Sequence, residues 1–297
     1  MTPPAGPGGL TAVDKPAGWT SHDVVARIRR LAGTRRVGHA GTLDPMATGV
    51  LVLGIERGTK LLGHLAVHEK SYDATIRLGQ STITDDAEGE LLASASAAGV
   101  TEAAVRDALT GFVGELDQIP AAVSAIKVAG RRSYARVRAG EAVQLKPRRV
   151  TVRTLELRAL RRPEPALVDV DVSIDCSSGT YVRAVARDLG VVLGVGGHLT
   201  ALRRTAAGPF TLAETCTLDE LAALDSPVTR SLSAAVVAAF PRRDVPADEA
   251  LALSHGRPLA AVGKPGSYGV FGPDGEVVAL VEERDGRARP VVVLRPA

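Results

Sequence analysis

Aromatic side chains make up only 3% of the 297 residues, with one Trp, four Tyr and four Phe. So few rings exclude a broad stacking platform of the kind that holds single-stranded nucleic acid, and each aromatic has to be judged by its neighbours. Cysteine is scarce as well. Cys176 and Cys216 supply neither a disulfide framework nor a zinc ribbon, and both read as small buried thiols of a reducing compartment. The six histidines are scattered, with no carboxylate or thiol at ligand spacing, so no metal is expected. No uncharged apolar run approaches the roughly 18 residues of a membrane span. Met1 to Gly9 is rich in Pro and Gly and lacks the apolar stretch of a secretory signal. A soluble cytoplasmic protein without a membrane contact is the expectation.

Several chemical motifs are missing too. In Gly54-Ile55-Glu56-Arg57-Gly58-Thr59-Lys60 three residues separate the glycines and Thr59 precedes the lysine, which breaks the phosphate-loop spacing. Gly194-Val195-Gly196-Gly197 lacks the preceding strand and the spacing of a dinucleotide fingerprint. No G-x-S-x-G elbow occurs.

What is present is an apolar fraction of 45%, enough for a sizeable core, on a chain long enough for two domains. Net charge is +3 but unevenly spread. Arg27 to Arg36 carries +5 through Arg27, Arg29, Arg30, Arg35 and Arg36. Lys127 to Arg149 carries +7, from eight basic residues that include Lys127, Arg131, Arg132, Arg148 and Arg149, against Glu141. Taking these 12 charges from the total leaves −9 on the remainder, so two basic patches sit on an acidic body. Such patches suit phosphate docking, and two solvated faces would look the same.

Leu10 to Asp14 reads as a strand ended by the turn signal Lys15-Pro16-Ala17-Gly18. Ser21 reads as the N-cap of a helix with the stripe Val24, Val25, Ile28 and Leu31 and a stop at Gly33. Strands are expected over 48–55, 71–78, 150–157 and, by strict alternation, 168–176. Thr101 caps a helix carrying Val105, Leu109 and Phe112, and another helix follows Gly179 with Val182, Val185, Ala186 and Leu189 on one side. Residues 119–149 read as loop or weak helix, and 216–243 as an Ala-rich, partly helical connection. A small module over 245–297 has a helix at Ala247 to Ser254, a strand at Tyr268 to Phe271, and strands near 276–281 and 290–294. The mixture is α+β rather than a regular βαβ series.

The densest stretch is Gly38-His39-Ala40-Gly41-Thr42-Leu43-Asp44-Pro45-Met46-Ala47-Thr48-Gly49. Glycines allow positive φ and close approach of a ligand, and Asp-Pro makes a rigid extended corner. On these residues alone Asp44 is most simply a turn or N-cap residue and His39 a loop histidine. The twelve residues closely resemble the signature loop of the TruB pseudouridine synthases. Four further segments are similar to motifs of that family in the same order: Asp14-Lys15-Pro16-Ala17-Gly18; Lys70-Ser71-Tyr72 with Leu78-Gly79-Gln80; Ser178-Gly179-Thr180-Tyr181-Val182-Arg183; and Gly197-His198-Leu199-Thr200-Ala201-Leu202-Arg203-Arg204.

The resemblance implies a catalytic domain over 10–240 after a tail of 1–9, with a mixed, mainly antiparallel central sheet, a basic RNA-gripping insertion at 119–149, and a PUA-like RNA-binding domain over 245–297. It implies isomerisation of uridine 55 in the tRNA T-loop, without cofactor, metal or protein partner, by a monomer that acts on the T-arm and also serves as a folding chaperone for tRNA. Asp44 is then the nucleophile, Arg183 its ion-pair partner, and Tyr72 the ring that stacks on the flipped uracil and relays the C5 proton. Tyr181 and Leu202 form the floor and wall of the pocket, and Lys15 supports it. His39 takes the place of the extruded base, with Gly41 and Thr42 beside it. The competing readings are a non-catalytic RNA-binding protein, which has no reason to keep Asp44, Tyr72 and Arg183 together, and a glycosidase, which needs a second carboxylate.

Overall fold

The computed structural model of the chain describes residues 8–121, 127–128, 131–132 and 146–297. Two compact units account for it, one from Met1–Asp44, Val50–Ala66 and Gly208–Ala297, the other from Pro45–Gly49 and Val67–Ala207.

The first unit opens with β1 (Gly9–Lys15), buried along almost its whole length. A turn leads into α1 (Ser21–Ala32), whose stripe Val24, Val25 and Ile28 is buried while Arg29 and Arg30 fall in the last turn, where cations offset the helix dipole. The N-cap is Thr20, not Ser21 as the sequence suggests. Thr20 Oγ1 accepts from Asp23 N at 3.1 Å and Asp23 Oδ2 accepts from Thr20 N at 2.9 Å, a full capping box. Gly33, at φ 62°, closes the helix. β2 (Val37–His39) then pairs antiparallel with β3 (Thr48–Ile55), Val37 opposite Ile55 and His39 opposite Leu53. Residues 50–55 of β3 are buried and also neighbour β1. A 3-10 turn (Glu56–Leu61) and the short α2 (Leu62–Ala66) follow.

In the second unit, β4 (Lys70–Leu78) alternates buried and partly exposed residues, as its sequence predicts. After a small hairpin of β5 (Gln80–Thr82) and β6 (Leu91–Ser94) comes α3 (Glu102–Thr110), capped by Thr101 as expected. β7 (Gly114–Gln118), the antiparallel pair β8 (Lys127–Val128) and β9 (Arg131–Arg132), β10 (Arg148–Arg161) and β11 (Val168–Cys176) precede α4 (Val182–Val192) and β12 (Gly197–Ala207). The order β12-β4-β11-β10-β7 is antiparallel throughout, and Thr48 and Gly49 add a parallel pairing to Arg203 and Arg204 of β12. β12 is a strand the sequence reading did not assign. Its interrupted H-L-T-A-L-R-R-T-A pattern lacks a clean period of two, and register shifts at Leu199/Ala201 and Arg204/Ala206 show why. Of the loop or weak helix expected over 119–149, residues 122–126, 129–130 and 133–145 lie outside the described residues.

Gly208–Ala297 returns to the first unit. Beyond β13 (Phe210–Thr211) and α5 (Leu218–Ala222), β14 (Arg230–Ser231) pairs with β1. After α6 (Leu232–Ala239) the last segment holds β15 (Arg242–Asp244), α7 (Ala247–Ser254), β16 (Leu259–Ala260), β17 (Tyr268–Phe271), β18 (Val277–Arg284) and β19 (Arg287–Val293). Its five-stranded sheet has the order β15-β17-β18-β19-β16 around a core of Val245, Leu253, Tyr268, Val270 and Val281. The fold is therefore α+β with mainly antiparallel sheets and a β-rich C-terminal part. Among the described residues, no helix is long and apolar enough to cross a membrane.

Candidate active site

The signature segment begins on a regular element and ends on one. His39 closes β2, and Ala40 N donates to Val52 O at 2.9 Å. Gly41 turns the chain at φ 89°, a left-handed value that suits only glycine without cost. Leu43 is buried, and Asp44 next to it is half-buried before the rigid Pro45. At the far end Gly49 has φ 98°, and a Cβ there would lie 2.2 Å from the Arg204 carbonyl oxygen. Glycine is required there by backbone angle and by contact alike. Arg203 Nη1 donates to Thr48 Oγ1 at 3.2 Å beside it.

Helix α1 braces the segment at three points. Arg29 Nη2 donates to Val37 O at 3.0 Å. The His22 ring meets the His39 ring edge-on, centroids 5.7 Å apart. Ser21 Oγ, 1% exposed with its residue, donates to Leu43 O at 3.0 Å and accepts from Leu43 N at 2.9 Å. One hydroxyl thus closes both main-chain groups of the residue before Asp44. Lys15, fully buried, donates from Nζ to the carbonyls of Pro16 at 2.9 Å and Trp19 at 2.6 Å, so its ammonium fastens the turn that enters α1. Thr42 is exposed.

The second unit holds the remaining candidates. Tyr72, 7% exposed, stands on β4 opposite Ile174 of β11 and Arg204 of β12. Leu202 stands opposite Ala74, two residues along, so Tyr72 and Leu202 share a sheet face with Lys70 and Arg204. Burial, with the nearby Arg204 guanidinium adding to it, pulls the Lys70 ammonium down to about 8. Lys70 Nζ donates to His68 O at 2.7 Å.

Tyr181 is the N-cap residue of α4. Gln118, at the end of β7, accepts from Tyr181 N through Oε1 at 2.8 Å and donates Nε2 to Tyr181 O at 3.1 Å. Arg183 is buried in the first turn of that helix, its Nη1 donating to Thr84 O at 2.9 Å and lying 3.4 Å from Asp86 Oδ2. Arg187, one turn on, lies 3.3 Å from Asp85 and donates to Ile119 O at 2.8 Å. Burial raises the Asp85 carboxyl, with Arg187 opposing it.

Within the first unit the structure thus gathers His39, Gly41, Thr42 and Asp44 on one short segment braced by α1, with Lys15 in the turn before that helix. Within the second it places Tyr72 and Leu202 on one sheet face and Tyr181 and Arg183 at one helix start. Four supporting residues escaped the sequence reading. Ser21 reads in sequence as the cap, although Thr20-x-x-Asp23 is itself a capping-box signal that leaves Ser21 available. Asp86 lies in Asp85 to Glu90, a stretch whose composition reads only as an acidic loop. Gln118 has no local signal, since its partner Tyr181 lies 63 residues away, and the Leu202-Arg203-Arg204 motif carries no local sign that Arg204 is buried.

The basic candidates differ among themselves. Arg30 and Arg35 are exposed. Arg29 is turned to Val37, and Arg36 lies 3.6 Å from Glu56. Arg148 is exposed, while Arg149 lies 3.1 Å from Glu115 and 3.2 Å from Asp117. Lys127, Arg131 and Arg132 sit on the β8–β9 pair. Among the described residues, no group of three or more His, Cys, Asp and Glu could hold a metal.

Comparison with known proteins gives three family matches that run nearly end to end. "TruB family pseudouridylate synthase (N terminal domain)" covers residues 29–182. "tRNA pseudouridylate synthase B C-terminal domain" covers 183–237, and "tRNA Pseudouridine synthase II, C terminal" covers 240–295. Proteins named tRNA pseudouridine synthase B are 59% identical in Thermobifida fusca (96% of this chain, 98% of that one) and 60% identical in Rhodococcus jostii (97% and 94%). A chain from the crystal structure of a Cbf5-Nop10-Gar1 complex superposes with TM-score 0.73 at 25% identity, covering 97% of this chain and 85% of that one. A chain of an H/ACA RNP bound to a substrate RNA containing 2'-deoxyuridine has the same TM-score at 24% identity, with the same coverage, a likeness of fold.

Proposed function

The chain belongs to the TruB family of pseudouridine synthases, and from that premise we propose that it isomerises uridine 55 in the T-loop of tRNA with Asp44 as nucleophile. The relatives' shared name supplies the substrate class. The observation that carries the residue assignment is the held Leu43–Asp44–Pro45 corner, which presents a half-buried carboxylate on a fixed backbone.

The reaction breaks the N1–C1′ bond, turns the uracil, and joins C5 to C1′. N1 gains a proton and C5 loses one, so no oxidant or energy source enters the balance. Asp44 attacks either at C1′ or as the base at C2′, and both routes need it ionised. Arg183 is assigned the role of favouring that charge, since a guanidinium near a carboxylate opposes the rise that burial would cause. Tyr72 is assigned to the flipped base, where its ring stacks and its phenol relays the C5 proton. Tyr181 and Leu202 are assigned to the apolar walls, and Lys15, Gly41 and Thr42 to the pocket's frame.

Pulling a uridine from a folded T-loop costs a few kcal/mol of unstacking. His39 is assigned to the vacated space, and contacts of the basic patches with T-arm phosphates offset the cost. Such unfolding and release of the arm would also let the protein act as a tRNA chaperone.

The test is tritium release from an unmodified tRNA transcript labelled at uridine C5, comparing wild type with Asp44→Asn. Release by wild type, and none from a variant that still binds tRNA, supports the assignment. No release by a folded, tRNA-binding wild type points instead to a non-catalytic RNA-binding protein.

A further inference from the structure

Asp44 has two backbone neighbours, and each is restrained by a different device. On its C-terminal side Pro45 drives Asp44 into the extended region, because the proline ring crowds the preceding residue. On its N-terminal side lies the Leu43–Asp44 peptide, whose plane is set by where the Leu43 carbonyl points. That carbonyl accepts from Ser21 Oγ at 3.0 Å, while the Leu43 N–H donates to the same oxygen at 2.9 Å. A hydroxyl offers one donor and two acceptor sites, so this pairing engages its donor and one acceptor at once. Ser21 is 1% exposed, so bulk water has little access to replace it.

A serine at the start of a helix normally has another task, which is capping. Here Thr20 performs it, with Asp23 completing the box. The Ser21 hydroxyl therefore reaches 22 residues along the chain. His22, the next residue, touches His39 at the other end of the same segment. The first turn of α1 is thus built to hold the stretch from His39 to Asp44.

We propose that Ser21 is a positioning residue for Asp44: its hydroxyl fixes the peptide that carries the nucleophile and so sets the direction of the carboxylate. The proposal rests on the reading of Asp44 as nucleophile. It takes Ser21 to act through the Leu43 main chain and not by touching RNA. Orientation of a reacting group is worth orders of magnitude in rate, and a misplacement of about 1 Å can cost roughly a hundredfold.

The experiment measures single-turnover tritium release at saturating enzyme, alongside tRNA affinity and thermal unfolding, for Ser21→Ala, Ser21→Thr and Asp44→Asn. The expected result is a fall of about ten- to a hundredfold in the Ser21→Ala rate, with tRNA affinity within about twofold of wild type. Ser21→Thr, which keeps the hydroxyl, is expected to recover most of the rate. A merely structural role would lower the melting temperature and leave the rate of the folded fraction at the wild-type value. Wild-type rate in folded Ser21→Ala overturns the proposal, as does a folded Ser21→Thr as slow as Ser21→Ala. If Ser21→Ala is unfolded at the assay temperature, Ser21→Cys, near in size but a weaker donor, is judged by the same rate criterion. Asp44→Asn separates the two failures. Activity in that variant removes the nucleophile reading itself, whereas an inactive Asp44→Asn beside a fully active Ser21→Ala removes only the role of Ser21.

Discussion

Two stretches of this protein use the same device with different parts. Before Asp44, a serine hydroxyl closes the N–H and C=O of Leu43. Before Arg183, a glutamine carboxamide closes the N–H and C=O of Tyr181. The hydroxyl does this with a single atom, while the carboxamide uses a separate donor and acceptor and so fixes a direction in the plane of the amide. Burial differs too. Leu43 and Ser21 are both buried, whereas Tyr181 is half-buried although Gln118 is only 5% exposed. The Leu43 groups have little access to water if their partner is lost, and the Tyr181 groups have more.

That difference orders the expected effects. Ser21→Ala should be the most costly change, about 2–4 kcal/mol in denaturant unfolding, because two buried main-chain groups lose their partner at once. Gln118→Ala should cost about 1–2 kcal/mol, since water can take over part of the pairing. An equal or larger loss for Gln118→Ala would break the comparison.

A pH series sharpens it further, because neither clasp titrates and the sheet face around Tyr72 does. Lys70 has its pKa lowered from 10.5 to about 8 by burial and Arg204. Between those values the unfolded chain still holds a proton that the folded chain has released, so stability from this group rises with pH from about 8 to 10.5. Lys70→Met should flatten that part of the wild-type profile, whereas the difference between Ser21→Ala and wild type should be the same at pH 7 and pH 10. A Ser21→Ala difference that changes across that range would show that the clasp is coupled to a titrating group.

The C-terminal sheet supplies an acid-side counterpart. Glu283 is held down to about 2 by the Val262 N–H first, with the Tyr268 hydroxyl and the Gly263 N–H adding to it. Its contribution is present above about 4.5 and lost as pH falls toward 2, so Glu283→Gln should flatten the acid limb of the unfolding curve. The smallest effect belongs to the exposed Arg149, which is paired with Glu115 and Asp117. Arg149→Ala should change stability by less than about 0.5 kcal/mol. It should also lower the salt dependence of tRNA binding less than Arg148→Ala does, as read from binding across a salt series.

The elements governed by local pattern were legible. Val168–Cys176, Ala247–Ser254 and Tyr268–Phe271 have the bounds that alternation, helical spacing and turn residues predict. β12 was not, because its two adjacent arginines and its register shifts hide the alternation, and the burial of Arg204 is decided by strands far away in sequence. The site divides along the same line. Asp44, Tyr72 and Arg183 stand out in the sequence by family resemblance, not by spacing. The residues that hold their surroundings, Ser21, Gln118 and Asp86, act across 22, 63 and 97 positions, and no local rule reaches that far.

The pairing of Gly9 with Ser231 has a consequence in time. A chain leaves the ribosome from its N-terminus, so β1 emerges ahead of every other strand among the described residues. Its partner β14 emerges more than two hundred residues later, so during synthesis β1 offers an open edge for most of the journey. The unit formed by Val67–Ala207 with Pro45–Gly49 is nearly continuous and has all its strands before β14 appears. Order of birth and order of folding should therefore be reversed here: limited proteolysis of stalled nascent chains should find 67–121 and 146–207 protected while residues 9–15 are still cleavable, and early protection of β1 would refute that order.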